Sequence, residues 1–340
     1  MTTCAKGMHG QMGDNGDPVY AAIDLGTNNC RLLVARIQDG GFRVIDSFSR
    51  IVRLGEGLST SNELTEAAIA RTINALQICA DKIQMNAAHQ IRAIATEACR
   101  RATNSGTFMD RVQNKTGLEL DIISPEYEAQ LTLDGCAQLI RDDTRHSLVF
   151  DIGGGSTELM WVEKTPDGQI NIIGMCSFPT GVVTLTEEYS GDVVARSVYE
   201  DIIARIDEGL GPFDEEFGIS RHLSNDKPLQ MLGTSGTVTT LGGLYLNLQR
   251  YDRSKVDGLD MRTDTVAAIS ERLASMTRDE RAANGCIGPD RADLVVMGCA
   301  IMEAISRRWP VATIRAADRG IREGLLYGIM RENGDLKVAS

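Results

Sequence analysis

The chain has 340 residues and carries 35 Lys and Arg against 47 Asp and Glu, a net charge of −12. That surplus of acid argues against a general nucleic-acid binder, whose affinity rests on clustered cations. At 42% hydrophobic and 24% charged, the composition excludes an intrinsically disordered chain. No run approaches the ~18 apolar residues of a membrane span, and the length suits about two domains of ~100–200 residues.

Residues 1–17 are polar and punctuated by glycine, without the apolar core of a secretory signal, and read as a flexible tail. Val19 to Asp24 then forms a strand running into Gly26, Cys30 to Arg36 a second, and Gly41 to Phe48 a third. Ile69, Ile73, Leu76, Ala80 and Ile83 share one face of an amphipathic helix, a core stripe rather than a cofactor site. Ile91 to Thr96 is a buried strand, followed by a helix carrying Arg100, Arg101 and Asn104. Leu118 to Ile123 is another strand. Ser124 and Pro125 supply an N-cap and first-turn proline for a helix from Glu126 to about Ile140. The charged stretch 141–145 reads as the linker between two halves.

The second half restarts the plan. Ser147 to Asp151 is a strand, Gly153 to Thr157 a tight turn, Glu158 to Glu163 the returning strand, and Gln169 to Phe178 a third. A meander with a glycine turn after an aspartate thus occurs twice, at Asp24 and Asp151, which reads as an internal duplication. The strand Leu229 to Leu232 leads to a third glycine-rich turn, from Gly233 to Thr240, and Ile321 to about Arg331 forms a terminal helix. His9, His89, His146 and His222 are isolated from one another, no His-Asp dipeptide occurs, and the eight cysteines form no CxxC pair. No zinc site is expected, and the cysteines read as free thiols of a reducing, cytoplasmic compartment.

Chemistry concentrates in the turns. Asp24-Leu25-Gly26-Thr27-Asn28-Asn29 can aim backbone N–H groups and a hydroxyl at a phosphate, although taken alone it is equally an ordinary hairpin. Asp151-Ile152-Gly153-Gly154-Gly155-Ser156-Thr157-Glu158 is sharper, because three successive glycines cost entropy and suit a backbone pressed against a ligand. Asp151 and Glu158 would flank one divalent cation in the oxygen-rich manner Mg²⁺ prefers. The third turn, with Gly233, Ser235 and Gly236, presents a helix N-terminus to an anion. Three such loops imply a cleft gripping a polyphosphate from both sides.

Ala21 to Asn28 together with Asp151 to Glu158 resembles the superfamily of acetate kinase, sugar kinases and actin. More narrowly, the chain is similar to the exopolyphosphatase and guanosine pentaphosphate phosphohydrolase family. Further segments carry the resemblance: Ala95 to Arg100, Ile122 to Ala129, the Gly233 loop, Pro289 to Asp293 and Asp318 to Leu325. It implies an α/β fold of two ribonuclease-H-like domains with mixed sheets around a central cleft, the actin-like ATPase fold. The expected domains are residues 18–141 and 142–317, with 318–332 returning to the first. The resemblance also places the hydrolytic base at Glu128, with Glu126 as fallback, and Mg²⁺ or another divalent cation such as Mn²⁺ near Asp24, Asp151 and Glu158. Phosphate would be bound by Gly26, Thr27, Asn28, Gly153, Gly154, Gly155, Ser156, Thr157, Gly233, Ser235 and Gly236. Arg100 matches a family arginine facing the cleft, and Arg31 is either a phosphate ligand or a surface ion pair.

The chain ends soon after its terminal helix and so resembles the short, two-domain members. The implied substrates are inorganic polyphosphate or guanosine pentaphosphate, with no nucleic acid or membrane as partner and, by family habit, a homodimer. A kinase or ATPase of the same superfamily, and a guanosine tetra- or pentaphosphate sensor without turnover, are the competing readings.

Overall fold

Alternating apolar residues build two mixed sheets to one design. The computed structural model describes residues 18–38, 40–189, 192–223 and 229–336, so the tail expected over 1–17 lies outside the described residues. In the first sheet, β1 (Val19–Leu25), β2 (Asn29–Gln38) and β3 (Gly41–Ile51) form an antiparallel meander. Beside β1, β4 (Gln90–Ala95) and β5 (Asp121–Ile122) add in parallel, giving the order β3-β2-β1-β4-β5. The second sheet repeats the pattern with β6 (His146–Ile152), β7 (Thr157–Lys164) and β8 (Ile170–Phe178) as its meander. Next to β6 lies β9 (Gln230–Thr234); β10 (Asp260–Arg262) is an antiparallel edge on β11 (Thr313–Ala317), which pairs in parallel with β9. Set aside that added edge, and the strand order of the two sheets is the same. The duplication read from the two glycine turns is therefore a duplication of topology.

β1, in the middle of the sheet between antiparallel β2 and parallel β4, is buried on both faces. Val19, Ala21, Ile23 and Leu25 pack with the Glu66–Met85 helix, through Ile69, Ala75, Leu76 and Cys79. Tyr20 and Ala22 face the other way, onto Ile321, Leu325, Leu326 and Ile329 of the terminal helix Ile321–Glu332. That helix also crosses the Pro125–Cys136 helix at very short range. A Cβ on Gly135 would stand 2.0 Å from the Gly320 carbonyl oxygen, and one on Gly324 would stand 2.0 Å from that of Leu131. Only glycine permits the crossing, and the crossing fixes the helix on which Glu128 rides.

The seven described cysteines are free, and all but Cys176 are buried. Among the described residues no helix is long and apolar enough to cross a membrane.

Candidate active site

Each sheet delivers a hairpin of the same length to one cleft. In the first, the Gly26 N–H donates to the Asn29 carbonyl at 2.9 Å; in the second, the Gly153 N–H donates to the Ser156 carbonyl at 2.9 Å. The carbonyls at both tips are drawn outward. Thr27 O accepts from Gly55 N, and Asn28 O from Val52 N and Arg53 N; Gly153 O and Gly154 O accept from the first N–H groups of the Val182–Glu188 helix. With their carbonyls held on the outer side, the tips keep backbone N–H groups for the inside, the arrangement of an anion-binding nest.

The two tips touch. A Cβ on Gly154 would lie 3.1 Å from the Thr27 Cβ and 3.2 Å from the Asn28 nitrogen, and one on Gly155 would lie 3.0 Å from the Thr27 Oγ1. Cross-strand partners differ between the hairpins: Asp24 is opposite Arg31, whereas Asp151 is opposite Glu158. One hairpin thus pairs its acid with a cation and the other pairs its acid with a second acid.

Glu128 enters this cleft from the first turn of the Pro125–Cys136 helix, whose N-cap Ser124 accepts from the Tyr127 N–H. It is 7% exposed, and its Oε2 accepts from Arg100 Nη1 at 2.8 Å. The same nitrogen donates to the Ile123 carbonyl at 2.8 Å, and Nη2 donates to Glu97 at 3.1 Å. Burial pushes the Glu128 carboxyl up to about 8, with further repulsion from Glu158 and Asp24, against the pull of Arg100. Asp151 is likewise held at about 7, by burial and by the nearby Glu128. Glu158 reaches about 7 through burial, although the Ser156 and Ser177 hydroxyls donate to its Oε1 at 2.6 and 3.0 Å. Burial raises Asp24 too, while Arg31 and Arg322 lower it.

Past Asp24 and Asp151 the cleft opens into a second chamber of about 360 Å³, which shares Arg31, Ser235, Gly236 and Arg291 with the first. Arg31, Arg291 and Arg322 face this space without a salt bridge among the described residues. Burial lowers the pKa of Arg291 and Arg322, and Arg31 lowers both further. Asp24, Asp318 and Glu323 act on Arg322 without closing a salt bridge to it, so the three guanidiniums keep N–H donors for an anion. The Gly236–Tyr245 helix adds its N-terminus, capped by Ser235, whose oxygen accepts from the Thr237 N–H.

A model of the Ppx/GppA phosphatase family matches residues 33–333 of this sequence. The chain belongs to the Ppx/GppA phosphatase family. Three solved structures are similar to it over nearly its whole length. An exopolyphosphatase-like protein is 28% identical with a TM-score of 0.82, covering 93% of this chain and 99% of that one. The Aquifex aeolicus member of the Ppx/GppA family is 27% identical, with a TM-score of 0.75 and coverage of 93% and 99%. An exopolyphosphatase from Cytophaga hutchinsonii is 25% identical, with a TM-score of 0.83 and coverage of 95% and 100%. The fold is thus the expected one, two ribonuclease-H-like halves of the actin-like type around a cleft.

In this Ppx/GppA phosphatase, most residues singled out by the sequence meet in the cleft: Asp24, Gly26, Thr27, Asn28, Arg31, Glu128, Asp151, Gly153 to Ser156, Glu158, Ser235 and Gly236. Others do not reach it. Thr157 begins β7 on the face opposite Glu158 and spends its hydroxyl on the Thr180 carbonyl at 2.8 Å. Gly233 sits inside β9, where a Cβ would meet the Phe150 ring at 2.4 Å, and it lines neither chamber of the cleft. Glu126 is exposed on the outer side of its helix. Arg100 stands behind Glu97 and Glu128 rather than at the cleft surface, both of its terminal nitrogens occupied. Sequence reasoning passed over Glu97, Arg291 and Arg322 as site residues, although all three stand in segments that carried the family resemblance.

The expected carboxylate set for a metal needs correction. Among the described residues no three His, Cys, Asp or Glu side chains converge closely enough to hold an ion by themselves. One oxygen of Glu158, Oε1, is held by the Ser156 and Ser177 hydroxyls, while the side chain lines the same cleft as Asp24 and Asp151. The donor set still suits a hard cation. Acids that raise one another's pKa form a surplus of negative charge, and Mg²⁺ commonly binds through one or two carboxylates together with substrate phosphates.

Proposed function

We propose that the chain hydrolyses phosphoanhydrides, releasing terminal orthophosphate from inorganic polyphosphate or guanosine pentaphosphate with water as the nucleophile. The observation that carries this reading is the buried Glu128 carboxylate beside two amide-lined hairpins whose tips are in contact. Hydrolysis of a phosphoanhydride asks the protein for little covalent chemistry; it asks for a positioned water, an in-line phosphoryl group and neutralised charge.

The N–H groups at the tips of the two turns, beyond those of Gly26 and Gly153 that close them, cradle the terminal phosphoryl group, with the Thr27 hydroxyl beside them. Glu128 orients a water and takes its proton; a carboxyl raised to about 8 is a far stronger base than an exposed glutamate. Arg31, Arg291 and Arg322 hold the remaining phosphates in the second chamber, which favours a substrate with several linked phosphates over a simple monoester. A divalent cation, when bound through Asp24 or Asp151, would neutralise charge on the transferring group. Glu128 and the acids around it support turnover over simple sensing.

Purified protein, with Mg²⁺ or Mn²⁺, is offered short polyphosphate, long polyphosphate, guanosine pentaphosphate and a simple phosphomonoester. Release of orthophosphate from one or more of the first three, but not from the monoester, is expected. A preference for the monoester, or no release from any, contradicts the reading.

A further inference from the structure

Glu97 also lines the cleft. It opens the short helix Glu97–Arg101, directly after the N-cap Thr96. Its Oε2 accepts from Arg100 Nη2 at 3.1 Å, while Nη1 of the same guanidinium donates to Glu128 Oε2 and to the Ile123 carbonyl, each at 2.8 Å. Arg100 is therefore a bridge between two carboxylates. All three are withdrawn from water, their side chains alone being 17% exposed for Glu97, 15% for Arg100 and 9% for Glu128. On its other side the Glu97 stem meets the second hairpin, where a Cβ on Gly155 would stand 3.0 Å from the Glu97 Cγ.

A guanidinium is a rigid planar fork, so fixing one terminal nitrogen fixes the direction in which the other points. Here Glu97 anchors Nη2 and the Ile123 carbonyl helps to anchor Nη1. The line along which Glu128 receives its hydrogen bond is thus set by groups outside Glu128. Only one of its two oxygens is engaged with Arg100, which leaves the other for the cleft. Had Arg100 no second acid, its fork would be free to close on Glu128 through both nitrogens and occupy both oxygens.

We infer that Glu97 is a positioning residue for the base: by holding one arm of Arg100 it keeps the Glu128 carboxylate monodentate and turned toward the attacking water. The inference rests on the hydrolytic reading above. Glu97 acts through Arg100, so its effect belongs in kcat and not in substrate affinity.

The test uses the full chain and steady-state release of orthophosphate from short polyphosphate or guanosine pentaphosphate with Mg²⁺, whichever the wild type hydrolyses. Glu97→Ala is expected to lower kcat by about tenfold to a hundredfold, the scale of a small misplacement of a catalytic group, with KM changed less than about threefold. Glu97→Gln, whose amide oxygen still accepts from Arg100, recovers most of kcat. Glu97→Asp keeps the charge but is one methylene too short to reach Arg100, and it behaves like the alanine variant. It is the deciding variant if Glu97→Ala fails to fold. In an Arg100→Gln background, removing Glu97 costs nothing further. Wild-type kcat in both Glu97→Ala and Glu97→Asp, a rise in KM alone, or losses that multiply with Arg100→Gln each overturn the inference. A wild type that releases no orthophosphate sinks the hydrolytic reading itself, and the inference with it.

Discussion

Gly154 in the second hairpin packs against Thr27 in the first so closely that an added Cβ would lie 3.1 Å from the Thr27 Cβ. Gly154 is not among the residues with positive φ, so its backbone admits alanine; only the facing hairpin objects. Gly154→Ala should therefore wedge the two tips apart with little effect on folding. The expected outcome is a loss of kcat/KM of about tenfold or more, because misplacing a phosphate cradle by a fraction of an ångström is costly. The thermal unfolding midpoint should stay close to that of the wild type. Steady-state phosphate release and calorimetry check both halves.

The base sets the pH dependence. As the proposed base, Glu128 would act when ionised, and burial together with Glu158 holds its carboxyl at about 8 in the free protein. The kcat/KM should rise with pH through that region and then level off. Arg100 lowers the Glu128 pKa, so Arg100→Gln should move this limb to higher pH while reducing the maximum. A pH–rate profile of both proteins measures it; a limb that moves to lower pH in the variant contradicts the assignment.

Stability should run the other way. Glu128 at about 8 and Asp151 and Glu158 at about 7 all lie above the ~4 of an unfolded carboxyl. In that window the folded state binds more protons than the unfolded state, so these groups' stabilising contribution is complete below pH ~4 and is lost as pH rises through 7 to 8. The unfolding midpoint, followed at constant ionic strength, should fall across that range. If Mg²⁺ binds the ionised acids of the folded state, it should raise the midpoint more at pH 8 than at pH 5.

Arg291 is held near Arg31 in a partly buried place, and both burial and that like charge lower its pKa. Arg291→Ala should raise KM by about tenfold to a hundredfold, the size of one lost charge-assisted hydrogen bond. Without substrate it should not destabilise the fold, since it relieves repulsion rather than breaking an ion pair. A drop in the unfolding midpoint with unchanged KM would show a structural arginine instead.

What could be read in advance was what is local. The aspartates at the ends of β1 and β6, and the small residues after them, sit next to one another in sequence, so their chemistry and their repetition were visible without a fold. Thr157 was misassigned because strand alternation sends neighbours to opposite faces, and Glu158 took the cleft side. Gly233 was misassigned because a glycine before Ser235 and Gly236 reads as part of their turn, while the structure keeps it in β9 beneath Phe150. Helix geometry separates Glu128 from Glu126: Glu128 shares the buried face of Leu131, Thr132 and Gly135, and Glu126 does not. Glu97, Arg291 and Arg322 come from three segments that carried the family resemblance but lie far apart in the chain, so the sequence did not show that they meet. Their meeting is a product of the fold, set in part by the glycine crossing that brings the terminal helix back beside the Glu128 helix.

The central claim, that the paired hairpins hold linked phosphates beside an acidic base, is tested most directly in Glu128→Gln. The substitution keeps the size and the hydrogen bond from Arg100 but removes the base. Binding of polyphosphate or guanosine pentaphosphate, followed by calorimetry, should remain within a few-fold of wild type, while orthophosphate release falls by about 10²–10⁴-fold. Release at the wild-type rate from the glutamine variant would contradict the account.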